Sequence, residues 1–187
     1  MANLYIGLLH YPMRNRQGDI VTTSMTSMDV HDIARSAKTY GVAGYYVISP
    51  LKSQREIARR IKGYYTEAER KAENSNRGEA LELVLVLDKL EESIKDIEDR
   101  EGAEPIMVGT SARDMGIDEI SYKDLKARLS DDDGKPIYIL FGTGWGIANE
   151  LLGSFDFMLP SINGNSDYNH LSVRAAAAIT LDRLNGR

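Results

Sequence analysis

The amino-acid sequence predicts an α/β fold, a mostly parallel sheet flanked by helices, and three observations carry the prediction. Apolar runs of strand length alternate with amphipathic runs of helix length from one end of the chain to the other. Glycine, proline or polar clusters separate them. The chain has 187 residues, which suits one domain over 1–187, because domains usually hold roughly 100–200.

The elements follow in order. "LYIGLLHY" (4–11), halted by Pro12, reads as a buried strand. In "SMDVHDIARSAKTYGV" (27–42), Val30, Ile33, Ala34 and Ala37 share a helical face, with Asp29 placed to cap the helix and Gly41 to end it. "GYYVISP" (44–50) is a strand, and "LKSQREIARRIKGYY" (51–65) an amphipathic helix with Leu51, Ile57, Ala58 and Ile61 inward. "YTEAERKAENSNRGEA" (65–80) is polar and aperiodic, a loop with a helical turn; "LELVLVL" (81–87) is strand-like but fits a helix too. "KLEESIKDIEDREG" (89–102) is a helix ending at Gly102, and "PIMVGTSAR" (105–113) a strand and its loop. "SYKDLKARLSDDDG" (121–134) is a helix opened by Ser121, and "KPIYILFGTGWG" (135–146) a strand entering a glycine loop. "IANELLGS" (147–154) is a short helix, "FDFMLPSI" (155–162) the last strand, and "SVRAAAAITLDRL" (172–184) a helix that Ser172 is placed to cap.

Composition removes several function classes. The chain has no cysteine, so a disulfide framework, a thiolate zinc site and a thiol nucleophile are excluded. No segment approaches the ~20 apolar residues that span a bilayer, and the N-terminus lacks a signal pattern, so the expectation is a cytoplasmic protein. A net charge of −5 argues against indiscriminate coating of nucleic acid, yet basic side chains concentrate between Lys52 and Arg77: Arg55, Arg59, Arg60, Lys62, Arg70 and Lys71.

In a parallel sheet, ligands bind beyond the carboxyl ends of the strands, which selects "HYPMRNR", "VGTSAR", "FGTGWG" and "LPSINGNSDYNH". Gly142, Gly144 and Gly146 allow a sharp turn and close backbone approach to a ligand. A Rossmann-type dinucleotide oxidoreductase is weakened by the G-x-G-x-G spacing and by the loop's place near the end of the chain, with no long stretch after it for a ribose-binding acid. No G-x-x-x-x-G-K-[ST] is present, which argues against a P-loop hydrolase.

"LFGTGWGIANE", then "FDFMLPSI", then the polar run "NGNSDYNH" feeding "LSVRAAAAI" resemble the ordered C-terminal motifs of the SPOUT superfamily of S-adenosylmethionine-dependent RNA methyltransferases. "MDVHDIARSAKTYGV" resembles its first motif and "VGTSAR" the loop after the fourth strand in its ribose-methylating branch. "LYIGLLHYP" and "YYVISPLKSQREIARRI" are similar to a small stand-alone bacterial family of predicted RNA methyltransferases. The resemblance implies a C-terminal deep trefoil knot, a homodimer, S-adenosylmethionine as cofactor and an RNA substrate, tRNA or rRNA, with a ribose 2′-hydroxyl favoured over a base nitrogen.

Carried over by position, the resemblance places the cofactor against Gly109 and Thr110, then Leu140, Gly142, Gly144 and Gly146, then Leu159, Pro160 and Ile162, then His170, Leu171 and Ser172. Arg35 takes the first-motif arginine position. As a permanently charged group it would orient phosphate or stabilise a developing oxyanion. Asp29 takes the motif's polar position, and His10, like His31, is a candidate proton acceptor near neutral pH. Arg14, Arg16, Arg113 and Asn169 are candidate RNA contacts, and Tyr168, Asn169 and His170 fall where donor and acceptor would meet. Trp145, the only tryptophan, suits stacking on a base or a dimer interface.

Two departures concern the acceptor. Thr143 and Trp145 stand where the ribose branch carries a glutamate, and "YNHLSV" has one residue more than the usual third motif. The rival expectations are a non-catalytic knotted dimer that binds donor and RNA, and the dinucleotide oxidoreductase.

Overall fold

The computed structural model describes residues 1–67, 75–131 and 134–186. Its main sheet has six strands: β1 (Leu4–Leu9), β4 (Gly44–Ile48), β5 (Val84–Leu87), β6 (Ile106–Gly109), β7 (Ile137–Gly142) and β8 (Phe157–Met158). They lie in the order β5-β4-β1-β7-β6-β8, and every neighbouring pair runs parallel. The expected α/β class and parallel sheet are therefore what the chain adopts.

The side chains of β1 alternate between two cores, as a strand period of two dictates. Leu4, Ile6 and Leu8 join one core with α1 (Ser27–Thr39), α2 (Lys52–Thr66), α3 (Ser75–Glu82), α5 (Tyr122–Leu129) and α6 (Val173–Asn185). Tyr5 and Leu9 join the other, beneath α4 (Leu90–Glu101) and the segment around Ile147 and Phe155. Three tyrosines anchor α4 to the sheet through their hydroxyls: Tyr5 donates to Glu101, Tyr46 to Asp96 at 2.6 Å and Tyr138 to Ser93 at 2.9 Å. Burial of apolar area supplies the driving force, and these bonds satisfy the polar ends of large rings that it carries inside.

Several local expectations need correction. α1 is capped by Thr26, not Asp29; Thr26 is extended at φ −111° and ψ 151°, while Asp29 sits three residues on and returns the bond, completing a capping box. Residues 75–82 form α3, where the sequence suggested a loop with a helical turn, because its apolar positions are few; residues 68–74 of that stretch lie outside the described residues. "LELVLVL" divides between the end of α3 and β5. "FDFMLPSI" contributes only the two-residue edge strand β8. A small antiparallel pair, β2 (Met13–Arg14) and β3 (Ile20–Val21), was not foreseen.

Counted among the sheet strands alone, the order is 3-2-1-5-4-6. The dinucleotide-binding order is 3-2-1-4-5-6. Strand β7 inserts between β1 and β6, and the glycine loop follows the fifth sheet strand rather than the first. The Rossmann reading fails on this topology.

Gly7 lies at the middle of β1, where an added Cβ would meet the Tyr138 hydroxyl at 2.5 Å and Leu140 Cδ2 at 2.6 Å. Gly7→Ala is expected to destabilise the protein by about 1–3 kcal/mol through overpacking, read as a lower urea midpoint with unchanged slope.

Candidate active site

Three of the four loops selected from the sequence converge on one cavity of about 990 Å3 at the carboxyl ends of β6, β7 and β8. The loop after β6 contributes Thr110 to Arg113, the loop after β7 Gly142 to Gly146, and the run after β8 Leu159, Pro160, Ile162 and Asp167 to Ser172. "HYPMRNR" contributes no lining residue. Thr23 and Ser24, after β3, take its place.

Parallel strands end with carbonyl and amide groups that need partners, and these loops supply them to one another. The Thr110 hydroxyl donates to the Leu140 carbonyl at 2.9 Å, and the Leu159 amide to the Gly109 carbonyl at 2.9 Å. Gly144 (φ 61°) and Gly146 (φ 101°) occupy the left-handed region that side chains resist. The β2–β3 arm then braces that turn: the Arg14 amide donates to the Gly146 carbonyl at 2.9 Å, and the Trp145 amide to the Arg14 carbonyl at 3.3 Å.

Of the residues assigned to cofactor, Thr110, Gly142, Gly144, Gly146, Leu159, Pro160, Ile162, His170, Leu171 and Ser172 line the cavity. Gly109 and Leu140 do not. A Cβ at Gly109 would collide with Met158 Sδ, so that glycine serves the packing of β8 on β6, and the Leu140 side chain is wholly buried on the α4 side. The lining joins an apolar slot of Phe141, Leu159, Pro160 and Ile162 to hydroxyls and backbone groups. Such a lining fits S-adenosylmethionine, whose adenine needs a flat apolar slot and whose amino-acid end needs polar partners.

Asp29 also lines the cavity and is 7% exposed. Its Oδ2 accepts from the Thr26 hydroxyl at 2.7 Å, and its Oδ1 pairs with Arg174 of α6 at 3.0 Å. Arg174 Nε also reaches Asp32 at 3.5 Å, so one arginine near the start of the last helix ties it to the first turns of α1. It is Arg174, not the neighbouring Arg35, that holds the Asp32 carboxylate. Six residues beyond Asp29, Arg35 points about 120° around the helix. It is exposed in a separate cleft of about 210 Å3 with Met28, His31, Tyr65 and Arg77.

His10 is fully buried and reaches the cavity only through hydroxyls. The self-consistent assignment runs His10 Nδ1–H to Thr23 Oγ1 (3.0 Å), Thr23 O–H to Thr143 Oγ1 (2.5 Å) and Thr143 O–H to the Leu9 carbonyl (2.9 Å). Its Nε2 has no partner among the described residues, and burial pushes its pKa down to about 4, against a smaller opposing effect of Asp29. His31 packs edge-on against Tyr65 at 4.7 Å, and burial, helped by Arg77, lowers its pKa too.

The remaining candidates separate into two groups. Arg113 and Asn169 line the cavity: the Arg113 guanidinium donates to the Trp145 carbonyl at 2.5 Å, and the Asn169 amide to the Ala112 carbonyl at 3.3 Å. Arg14 bonds Asn149 at 3.2 Å and Arg16 is exposed, both outside the cavity lining. Within the basic run, Arg55 donates to the Ser49 and Pro50 carbonyls, Arg59 to Val86 and Lys62 to Val84, so three of its cations close strand ends. Arg70 and Lys71 lie outside the described residues. The residues that sequence reasoning missed are Thr23, Ser24 and Arg174; the T-x-x-D capping box at Thr26 was legible, but their tertiary partners were not.

Arg174→Ala should cost about 1–3 kcal/mol by leaving the buried Asp29 carboxylate short of a partner, and the loss should shrink in an Asp29→Asn background; a denaturant double-mutant cycle measures both. For His10, the unfolded chain takes up its proton near pH 6.5 and the folded chain near 4. Stability therefore falls on acidification through that window, by about 3 kcal/mol in total, and is flat above it. The difference in urea midpoints between the unaltered chain and His10→Gln should follow that profile.

A family model described as SAM-dependent RNA methyltransferase matches residues 3–186. An uncharacterised protein of Aquifex aeolicus (strain VF5) is 42% identical over 185 residues, 99% of this chain and 89% of that protein. A tRNA (guanine-N(1)-)-methyltransferase of Oleidesulfovibrio alaskensis is 40% identical over 184 residues, 98% of this chain but only 42% of that protein. A probable methylase family protein from Haemophilus influenzae superposes with a TM-score of 0.65 at 22% identity, over 98% of this chain and 65% of that one. The SpoU methyltransferase AviRb from Streptomyces viridochromogenes, solved with AdoMet, superposes with a TM-score of 0.57 at 18% identity, over 98% of this chain and 56% of that one. The last two likenesses are of fold. With nearly the whole chain matched, the protein belongs to the family of S-adenosylmethionine-dependent RNA methyltransferases.

Proposed function

We propose that this chain methylates a tRNA at a ribose 2′-hydroxyl, acting over residues 1–187 as one domain of a homodimer whose C-terminal segment is threaded as a deep trefoil knot. The observation that carries the reading is the convergence of the loops after β6, β7 and β8 on one cavity whose lining suits the family's methyl donor. S-Adenosylmethionine, when bound, supplies an electrophilic methyl group on a sulfonium. The chain's own residues have to bind, align and exclude water, because displacement at a methyl group depends chiefly on alignment of the nucleophile.

The apolar slot of Phe141, Leu159, Pro160 and Ile162 excludes water, and the pinned loops hold their backbone groups at fixed positions. The threonine pair serves the acceptor side. With Nδ1–H already donating, His10 orients the Thr23 and Thr143 hydroxyls rather than receiving the proton at that atom. Arg35 lies outside the cavity of its own chain, so its proposed role in holding phosphate or an oxyanion requires delivery by a second copy. The homodimer that the family resemblance implies would meet that requirement.

The choice of tRNA rests on the relatives named tRNA (guanine-N(1)-)-methyltransferases, of which the match spans 42%. This chain spans less than half of those proteins, and the guanine activity in their name is not carried over to it. The ribose acceptor rests on the resemblance of "GTSAR" and Arg35 to the ribose-methylating branch.

Transfer of labelled methyl groups from S-adenosylmethionine to purified tRNA and to rRNA tests the reading. Label is expected in tRNA as a 2′-O-methylnucleoside, with Arg35→Ala lowering kcat about 100-fold, as loss of a transition-state donor does. Label at guanine N1 would overturn the ribose acceptor, and full activity in the variant would remove Arg35 from its role. Donor binding without transfer to any RNA would favour the non-catalytic dimer.

A further inference from the structure

Two large aromatic side chains among those that line the cavity are exposed. Trp145 is 52% exposed and Tyr168 74%, one on the loop after β7 and one on the run before α6. Exposed rings of this size at a cavity rim are costly in water unless a partner covers them.

Hydrogen bonds anchor the chain at Trp145 and beside Tyr168. The Trp145 peptide is held on both sides, its amide on the Arg14 carbonyl at 3.3 Å and its carbonyl under the Arg113 guanidinium at 2.5 Å. Beside Tyr168, the Asn169 side-chain amide donates to the Ala112 carbonyl at 3.3 Å and to the Asn163 side-chain oxygen at 3.0 Å. Ala112 and Arg113 are consecutive, so both aromatic-bearing loops are tied to the same short loop after β6 and border one opening. The Tyr168 ring is further steadied edge-on by His170, 5.4 Å away. Among cations, Arg113 lines the opening and Arg14 lies beside it, bonded to the glycine loop.

We infer that Trp145 and Tyr168 form a stacking clamp that receives an unpaired nucleobase at the mouth of the cavity. The substrate is accordingly RNA with a splayed-out nucleotide in a loop or bulge, not a continuous helix. Rings accept any base by its π-face, whereas bases inside an A-form duplex are already stacked and cannot enter. The pinned Trp145 peptide reduces the ordering cost of such a contact, and the arginines meet the flanking phosphates. This inference rests on the RNA methyltransferase reading above and adds to it the structural class of RNA and the side chains that select it.

Trp145 is the only tryptophan in the chain, so its fluorescence reports on the clamp alone. The full-length protein is titrated with a single-stranded RNA oligonucleotide, with the same oligonucleotide annealed to its complement, and with S-adenosylmethionine alone. Calorimetric donor affinity is measured on every variant. Single-stranded RNA should quench the indole and duplex should not. Trp145→Ala and Tyr168→Ala should each weaken single-strand binding about tenfold, as loss of one stacked base does, while Trp145→Phe retains it. Equal binding by the alanine variants, or preference for the duplex, would overturn the clamp. So would fluorescence that answers to the donor alone or to protein concentration alone, which would assign the ring to the donor pocket or to a dimer interface. Absence of donor binding with quenching by single-stranded RNA intact would overturn the methyltransferase reading and leave the clamp standing.

Discussion

The position of β7 is the constraint on which the rest of the molecule depends. It lies between β1 and β6, fully buried over Ile137 to Phe141, with register set on both sides by parallel pairing. A strand enclosed in this way must be apolar on both faces, and it must enter and leave at the sheet ends. Because β6, β7 and β8 run the same way, their carboxyl ends deliver three loops to a single edge. The cavity is a consequence of that delivery, and the identity of the loops decides what it holds.

Two sets of polar contacts convert that arrangement into a fixed site. Backbone bonds among the strand-end loops, with the β2–β3 arm behind the glycine turn, leave few free groups to collapse into the space. The Arg174 bridge to Asp29 and Asp32 then joins the last helix to the first across 145 residues of chain, so the C-terminal wall of the cavity cannot drift from α1. A half-exposed arginine on a buried carboxylate is a costly choice for stability alone. Its use here is to hold two distant segments in one register.

Most of the architecture was legible in the sequence because buried parallel strands are written as apolar runs. "KPIYILFG" and "LYIGLL" have no other stable reading in a chain with this alternation. Caps at Ser121 and Ser172 and the left-handed Gly102 were equally local, and each falls where expected. Features set by tertiary partners were hidden. The β2–β3 arm is too short to have a period, and α3 has too few apolar residues to announce itself. Gly109 looked like a ligand-facing glycine but is small for Met158, a distinction that depends on a neighbour 49 residues away. Arg35 was placed by motif; helix geometry alone separates it from Asp29. The order of β6 and β7 in the sheet, which removes the dinucleotide reading, leaves no trace in composition.

The strand-end cavity is proposed as the methyl-donor site. Titration calorimetry of the full chain with S-adenosylmethionine and with NAD tests it most directly, using Gly144→Val as the altered loop. The expected result is one donor site per chain, no heat with NAD, and loss of donor binding in the variant, whose β-branched side chain resists the left-handed turn at φ 61°. Preferential binding of NAD, or donor binding untouched by Gly144→Val, would contradict it.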